Sequence, residues 1–190
     1  MAHRGHAAQA LSGQCVRVAT RTVDVIDVHP LAAEDAPWKC EFLIAGWGAT
    51  SVARRGELVD AEQLDGFVAV SRDTRVGLLT FDHQHPDLEI VTIQSVRGGL
   101  GIGRALMNAA LRRAEELKVG RLWLTTTNNN FRAFAFYHLW GMHLVALYPN
   151  EVERSRAVKP AIPLVDAAGV PIRDELEFEV RLPLRTGASA

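Results

Sequence analysis

Three apolar segments in the middle of the chain alternate with polar turns. Residues 67–71, 75–82 and 88–95 are each rich in Val, Ile, Leu, Phe and Thr, and turn residues separate them at 71–74 and 83–87. Runs of this length and composition, bounded by turn residues, are typical of β-strands. The pattern predicts three consecutive antiparallel strands that lead into a glycine-rich stretch.

After that stretch the spacing of apolar residues becomes helical. Apolar side chains recur every three or four positions and form one stripe, made of Leu106, Met107, Ala110, Leu111, Ala114 and Leu117. This period predicts an amphipathic helix that begins at or near Gly101 and ends at Gly120, which would be its C-cap. Residues 121–127 then predict a strand that runs parallel to 88–95, because a helix intervenes.

The rest of the chain is interpreted with the same two periods. Before the three strands, the pattern predicts a first strand at 15–26 that His29-Pro30 breaks, one or two short helices at 32–45, and a loop with short extended parts at 50–60. After residue 127, it predicts a helix at 130–140 that Gly141 stops, a strand at 143–148, a charged helical stretch at 151–160 and a half-buried strand at 175–182. The last strand carries its apolar residues on one side and Glu175, Glu177 and Glu179 on the other. Because surface strands commonly carry charge, we expect these acids to form a solvated edge.

The composition is typical of one globular domain. With 48% hydrophobic and 23% charged residues, the 190-residue chain is not globally disordered, and we expect a single domain at 14–184 between a disordered tail at 1–13 and a frayed tail at 185–190. The net charge of −1 gives no electrostatic footprint for nucleic acid or an anionic membrane. No apolar run approaches the roughly 18 residues that span a bilayer. Cys15 and Cys40 have no metal-ligand spacing. These features predict a cytoplasmic protein.

The glycine-rich stretch follows a strand and opens a helix. Gly98, Gly99, Gly101 and Gly103 let the backbone take left-handed angles and approach a ligand closely. The first helical turn leaves backbone N–H groups unpaired at the positive end of the helix dipole, so a phosphate or pyrophosphate can bind there. Spacing excludes a Walker A loop and a dinucleotide fingerprint, since Arg104 follows the last glycine. A turn that only joins a strand to a helix remains the alternative.

A third template fits better. Residues 98–106 resemble the Q/R-x-x-G-x-G/A motif of the GNAT superfamily of acyl-CoA-dependent N-acyltransferases, with Gly98 where the family usually has Gln or Arg. We expect the preceding Arg97 to take over the charge. A second element is similar to the family's N-x-x-A-x-x-F-Y-x-x-x-G-F motif and consists of Asn130, Ala133, Phe136, Tyr137, Gly141 and Met142, with Met in the usual Phe place.

The resemblance covers residues 66–148 and implies a fold. The expected fold is α/β (α+β), with a mixed, mostly antiparallel central sheet of about six or seven strands and about four flanking helices. A central parallel pair of strands would be splayed apart, and a backbone N–H of about Ile93 or Gln94 would face the thioester carbonyl of the co-substrate.

The resemblance also implies site residues for acetyl-CoA as co-substrate. Those expected to bind it are Ser95, Val96, Arg97, Gly98, Gly99, Gly101, Ile102, Gly103, Arg104, Asn128, Asn130, Ala133 and Phe136. The two asparagines either bond the CoA arm or cap the following helix. Tyr137 is the candidate general acid for the departing thiolate, the alternative being one aromatic of a buried helix. Glu89 is the candidate base, the alternative being an outward polar residue of its strand.

The implied function is N-acetyl transfer to a primary amine of a small molecule or peptide, by direct attack in a ternary complex. The alternative is a non-catalytic acyl-CoA-binding or sensor module of the same fold. We expect the acceptor on the side of 38–56 and 159–179, where Glu89, Glu175 and Glu177 would attract a cationic amine if they faced the mouth of the site. We expect a monomer or homodimer with no metal, nucleic-acid or membrane partner. His83 and His85 are interpreted as solvated turn residues rather than a metal pair.

Overall fold

The structure, a computed structural model, describes residues 25–183. Within this range it contains nine strands, four α-helices and a short 3-10 helix at Ala33–Asp35. The strands are β1 (Asp27–Pro30), β2 (Ser51–Arg54), β3 (Glu57–Asp60), β4 (Asp65–Ser71), β5 (Thr74–Gln84), β6 (Asp87–Ser95), β7 (Arg121–Thr127), β8 (His143–Tyr148) and β9 (Glu175–Arg181). The helices are α1 (Ala36–Trp47), α2 (Ile102–Glu116), α3 (Phe131–Trp140) and α4 (Glu151–Val158).

Seven strands form one sheet in the order β1-β4-β5-β6-β7-β9-β8, and β2 and β3 form a separate hairpin. All neighbours in the sheet are antiparallel except β6 and β7, which α2 connects. A parallel pair requires such a crossover, whereas antiparallel neighbours can be joined by tight turns. The predicted mixed sheet with one central parallel pair and four helices is confirmed.

The parallel pair separates soon after it begins. β6 and β7 are paired only where Asp87, Leu88 and Glu89 oppose Arg121, Leu122 and Trp123. Beyond these residues β6 is paired only to β5, and β7 only to β9. Each of the two strands therefore has backbone groups that face a gap instead of a neighbouring strand, which confirms the predicted splaying.

The sheet has an apolar layer on each face. Leu79 of β5 points into the larger cluster, which α2 and α3 complete with Leu106, Met107, Ala110 and Tyr137. Its neighbour Leu78 points into the smaller cluster with Leu43 of α1 and Val52 of β2. Consecutive strand residues alternate between faces, so β5 anchors both layers. We call the first face the α2–α3 side and the second the hairpin side.

Most predicted boundaries agree with the structure to within a few residues. His29 and Pro30, predicted to break the first strand, are the last two residues of β1, an edge strand in which the missing N–H of proline is tolerated. The predicted strand at 15–26 lies almost wholly outside the described residues. The short extended parts predicted in a loop at 50–60 are the paired strands β2 and β3, which form a hairpin. The predicted end of α2 at Gly120 is wrong: the helix ends at Glu116, and Lys118 takes the left-handed angle, with φ 55°, that was expected of Gly120.

The expectation of a solvated acidic edge at 175–179 is also wrong. β9 lies between β7 and β8 and is therefore an internal strand. Glu175, Glu177 and Glu179 are only 3%, 4% and 7% exposed. The β2–β3 hairpin and α4 cover this part of the hairpin side, and Arg121 donates to Glu177 at 2.8 Å and to Glu179 at 3.2 Å. Buried carboxylates are tolerated because such partners compensate the loss of hydration.

Candidate active site

A cleft of about 680 Å³ lies between the diverging ends of β6 and β7. Its volume is in the usual range for small-molecule sites, which is about 300 to 1,000 Å³. Residues of both sides of the sheet line it, since the gap between the strands connects the α2–α3 side with the hairpin side. The unpaired backbone groups of β6 and β7 along this gap can hydrogen-bond an extended ligand as a further strand would.

The glycine-rich loop closes the cleft on the α2–α3 side. Gly99 and Gly101 have φ of 80° and 81°, angles that other residues adopt only with strain. Gly101 is the N-cap of α2 and offers no side-chain cap, so the N–H groups of the first turn are available to a ligand. Together with the helix dipole these groups are suited to bind an anion.

The structure brings nearly all predicted site residues to this cleft. Those that line it are Ser95, Val96, Arg97, Gly98, Gly99, Gly101, Ile102, Gly103, Arg104, Asn130, Ala133, Phe136, Glu89 and Tyr137. Asn130 also caps α3, because its side-chain oxygen accepts from the Ala133 N–H at 3.1 Å. Gly103 leaves room for a neighbour on α3, since a Cβ there would lie 3.1 Å from the Phe136 ring.

Asn128 is the predicted residue that does not line the cleft. Its amide donates to the Pro171 carbonyl at 2.9 Å and accepts from the N–H groups of Arg173 and Asp174 at 2.9 and 3.0 Å. These bonds fix the segment that leads into β9. The polar groups of Asn128 are thereby used within the protein, and its position assigns it to holding that segment.

Arg132 was not among the predicted residues, yet it lines the cleft beside the loop. A Cβ built on Gly98 would lie 1.4 Å from Nη2 of Arg132, so the guanidinium occupies the place of a side chain at that position. Arg97, expected to replace the charge missing at Gly98, lines the cleft too. Arg132 lies within the second motif, between Asn130 and Ala133, but the motif contains no signal for that position.

Tyr137 of α3 lies in the cleft wall with 7% of its surface exposed. Its ring packs against Phe136 and Phe178, with centroids 5.4 and 5.6 Å away. The hydroxyl forms no hydrogen bond with any residue in the described range 25–183. Burial raises the pKa of the phenol well above its ordinary value, so the group is protonated at neutral pH. It can therefore donate a hydrogen bond or a proton to a ligand in the cleft.

Glu89 lies on the hairpin side of the same cleft and is 5% exposed, which excludes an outward orientation. Burial raises the pKa of its carboxyl to about 7, although the ion pair with Arg54 of β2 opposes this shift. A carboxylate with a pKa near neutrality is suited to accept and release protons. The geometry is thus compatible with a base.

Two further charged residues on the hairpin side line the cleft, Arg54 and Glu175. Both oxygens of Glu175 accept from the Arg55 N–H, at 3.1 and 3.0 Å, and one accepts from Ser155 at 2.9 Å. Glu177 does not line the cleft and binds Arg121 and Tyr148 instead. Arg54 could not be found from the sequence, because it follows no periodic pattern and its partner is distant in the chain.

Two kinds of feature are absent from residues 25–183. They contain no group of three His, Cys, Asp or Glu side chains placed to hold a metal ion. None of their helices is long and apolar enough to cross a membrane.

Comparison with known families gives the geometry a context. The sequence model of the Acetyltransferase (GNAT) family matches residues 31–142, more than half of the chain. The chain belongs to this GNAT family. The match contains β6, the glycine-rich loop, α2 and α3, which are the elements that form the α2–α3 side of the cleft.

Individual relatives agree with this assignment. The chain is 36% identical over 139 residues to the uncharacterized protein YdhI of Bacillus subtilis, covering 73% of this chain and 87% of YdhI. A GNAT family acetyltransferase from Elizabethkingia anophelis with acetyl-CoA bound has a TM-score of 0.61 at 16% identity, covering 83% and 98% of the two chains. Arabidopsis thaliana Naa50, in complex with the bisubstrate analogue CoA-Ac-MVNAL, has a TM-score of 0.61 at 16% identity, covering 83% and 99%. The two structural likenesses show the fold.

Proposed function

We propose that the protein transfers an acetyl group from acetyl-CoA to a primary amine of a small molecule or peptide. The observation that carries this proposal is one cleft that joins three features: an anion-binding helix N-terminus, a buried phenol with a free hydroxyl and a buried carboxylate. Acyl transfer needs one group of each kind, to hold the co-substrate, to protonate the leaving thiolate and to accept a proton from the amine.

The α2–α3 side is assigned to acetyl-CoA. Its pyrophosphate binds the N–H groups of the loop and of the first turn of α2, where Gly99 and Gly101 leave open space. The pantetheine arm lies along the unpaired edges of β6 and β7 and places the thioester in the gap. Two proteins of the same fold, one with acetyl-CoA bound and one in complex with a bisubstrate analogue, support acetyl-CoA as the co-substrate.

The amine is assigned to the hairpin side, so that the two substrates meet in the gap. Glu89 accepts a proton from the ammonium group, and the amine nitrogen attacks the thioester carbonyl carbon. Of the two residues expected to supply a backbone N–H, Ile93 has its N–H on the edge that faces the gap, since the N–H of Val96, and with it that of Gln94, points to β5. This Ile93 N–H stabilises the carbonyl oxygen. When the C–S bond breaks, Tyr137 protonates the CoA thiolate, and the nitrogen releases one more proton to solvent. Tyr137 then regains a proton from solvent, and Glu89 releases its proton to solvent. The products are an N-acetyl amine and CoA.

The second candidate is a non-catalytic acyl-CoA sensor. Gly98, in place of the Gln or Arg of the motif, favours it, because this departure affects the loop that binds the co-substrate. A sensor would bind acetyl-CoA without turnover. A cytoplasmic location and a monomeric or homodimeric state belong to both proposals.

A panel of primary amines, incubated with acetyl-CoA and analysed by mass spectrometry, tests the enzyme against the sensor. The panel contains polyamines, amino acids, aminoglycosides and peptides with free N-termini. We expect at least one N-acetyl product with wild type, and its loss with Tyr137→Phe. Binding of acetyl-CoA without any acetylated product across the panel would instead favour the sensor.

A further inference from the structure

The guanidinium of Arg132 fills the space that a side chain at position 98 would occupy. A Cβ on Gly98 would lie 1.4 Å from Nη2 of Arg132, 2.7 Å from Cζ and 3.3 Å from Nη1. The whole guanidinium therefore lies directly against the glycine. Any side chain at 98 would have to displace it.

The backbone does not explain why residue 98 is glycine. Gly99 and Gly101 have positive φ and strain any other residue, but φ of Gly98 is not positive. The contact with Arg132 is a different reason. Glycine at 98 lets the guanidinium lie against the loop, a place that it would have to leave for a larger residue.

The charged side chain of Arg132 has no partner within the described residues 25–183. The guanidinium has neither an ion pair nor a hydrogen bond there, whereas Arg54 and Arg121 are paired with carboxylates. The acids that line the cleft, Glu89 and Glu175, lie on the hairpin side and are bound by Arg54 and by the Arg55 N–H. A free cation beside unpaired N–H groups is suited to an anion.

We propose that Arg132 contacts the pyrophosphate of acetyl-CoA and supplies from α3 the charge that the first motif position lacks. This inference rests on the proposed function for its ligand. A guanidinium binds phosphate oxygens in a bidentate manner, and the Asn130 cap fixes the first turn of α3 from which Arg132 extends. In this arrangement the positive charge is supplied by Arg132 of α3, and the loop position that carries it in the motif is occupied by Gly98.

Calorimetric titration of wild type and Arg132→Ala with CoA, dephospho-CoA and pantetheine tests the contact. Dephospho-CoA lacks only the 3′-phosphate, and pantetheine lacks all phosphates. We expect Arg132→Ala to weaken CoA and dephospho-CoA by about tenfold each, as for loss of a charge-assisted hydrogen bond at an exposed site, and to leave pantetheine unchanged. Arg113→Ala, which removes an exposed arginine of α2 paired to Glu116, is the matched control and should change none of them.

A double variant that moves the arginine from position 132 to position 98 tests whether either position can supply the charge. Gly98→Arg alone should lose affinity, because its side chain and Arg132 compete for one place. Gly98→Arg combined with Arg132→Ala should recover most of the wild-type affinity for CoA. Melting temperatures of all variants, and Arg132→Gln as a second variant, keep a folding defect apart from a binding defect.

The outcomes are distinct. If wild type does not bind CoA, the proposed function fails. If wild type binds CoA and Arg132→Ala and Arg132→Gln bind it equally well, the inference about Arg132 is overturned and the proposed function stands. An effect on CoA but not on dephospho-CoA overturns the assignment to the pyrophosphate, and an equal effect on pantetheine overturns any phosphate contact.

Discussion

The two sides of the cleft use different means to present polar groups to a ligand. On the α2–α3 side, the groups come mostly from one continuous stretch, residues 95–104, and many are backbone N–H groups. On the hairpin side, Arg54, Glu89 and Glu175 come from β2, β6 and β9; the two carboxylates are buried, Arg54 is half-buried, and partners within the protein hold all three. A backbone site depends on local conformation, whereas a site of buried charges depends on tertiary packing. Substitutions on the two sides should therefore fail in different ways.

The largest effect is expected at Tyr137, on the α2–α3 side of the cleft. Tyr137→Phe should lower kcat by about 10² to 10⁴, the usual cost of removing a general acid, and leave the affinity for CoA unchanged. Steady-state kinetics and calorimetry measure the two quantities. Tyr148→Phe is the matched control, since it removes a hydroxyl bound to Glu177 outside the cleft and should affect stability only. A kcat of Tyr137→Phe within about threefold of wild type would remove the residue from the mechanism.

The next effect concerns the buried charges of the hairpin side. Arg121→Met leaves Asp87, Glu177 and Glu179 without their shared cation and should lower the free energy of unfolding by about 1.5 to 3 kcal/mol, since Glu177 keeps Tyr148 and Glu179 keeps Arg181. Urea denaturation measures this loss. Arg113→Met breaks an exposed pair and should cost at most about 0.5 kcal/mol. Similar losses for the two variants would contradict the contrast between the sides.

A pair of glycines tests whether the α2–α3 side depends on backbone. Gly101 and Gly169 both have φ 81°, and at both an added Cβ would have no atom within 4 Å, but only Gly101 lines the cleft. Alanine at either should cost about 1 to 2 kcal/mol of stability through strain. Only Gly101→Ala should also weaken CoA, by about tenfold, because its Cβ enters the space of the phosphates. Calorimetry with CoA and pantetheine decides, and equal loss for both ligands would mean that the pyrophosphate lies elsewhere.

The smallest effect is a pH dependence at Glu89. A base acts in its ionised form, and burial raises the pKa of this carboxyl to about 7, so kcat/KM for the amine should fall about tenfold per pH unit below that value. Arg54 favours the ionised form of Glu89, so Arg54→Gln should move this fall of kcat/KM to higher pH. Glu89→Gln should remove the break near pH 7, so that kcat/KM follows the pKa of the amine itself. A break near pH 7 that persists in Glu89→Gln would belong to another group.

The predictions from sequence were most accurate where the structure is local. The bounds of β7 and β8, the start of α2 after Gly101 and the Asn130 cap of α3 follow from residues within one turn or one strand of each other. Glu175, Glu177 and Glu179 were misplaced for the opposite reason. Their alternation with Leu176, Phe178 and Val180 correctly predicts two faces of a strand, but it does not say whether α4 and a hairpin cover the polar face.

Local sequence was sufficient to predict the strand, loop and helix order of residues 88–127 and the family. These depend on hydrophobic period, on glycine conformation and on backbone groups, all of which act over a few residues. The side chains that complete the cleft depend instead on how distant elements pack. Arg54 meets Glu89, Arg132 meets Gly98, and Arg55 meets Glu175 across 120 positions of chain. Such pairs form when those elements pack against the sheet, and burial then sets the pKa of Glu89 and keeps Tyr137 protonated.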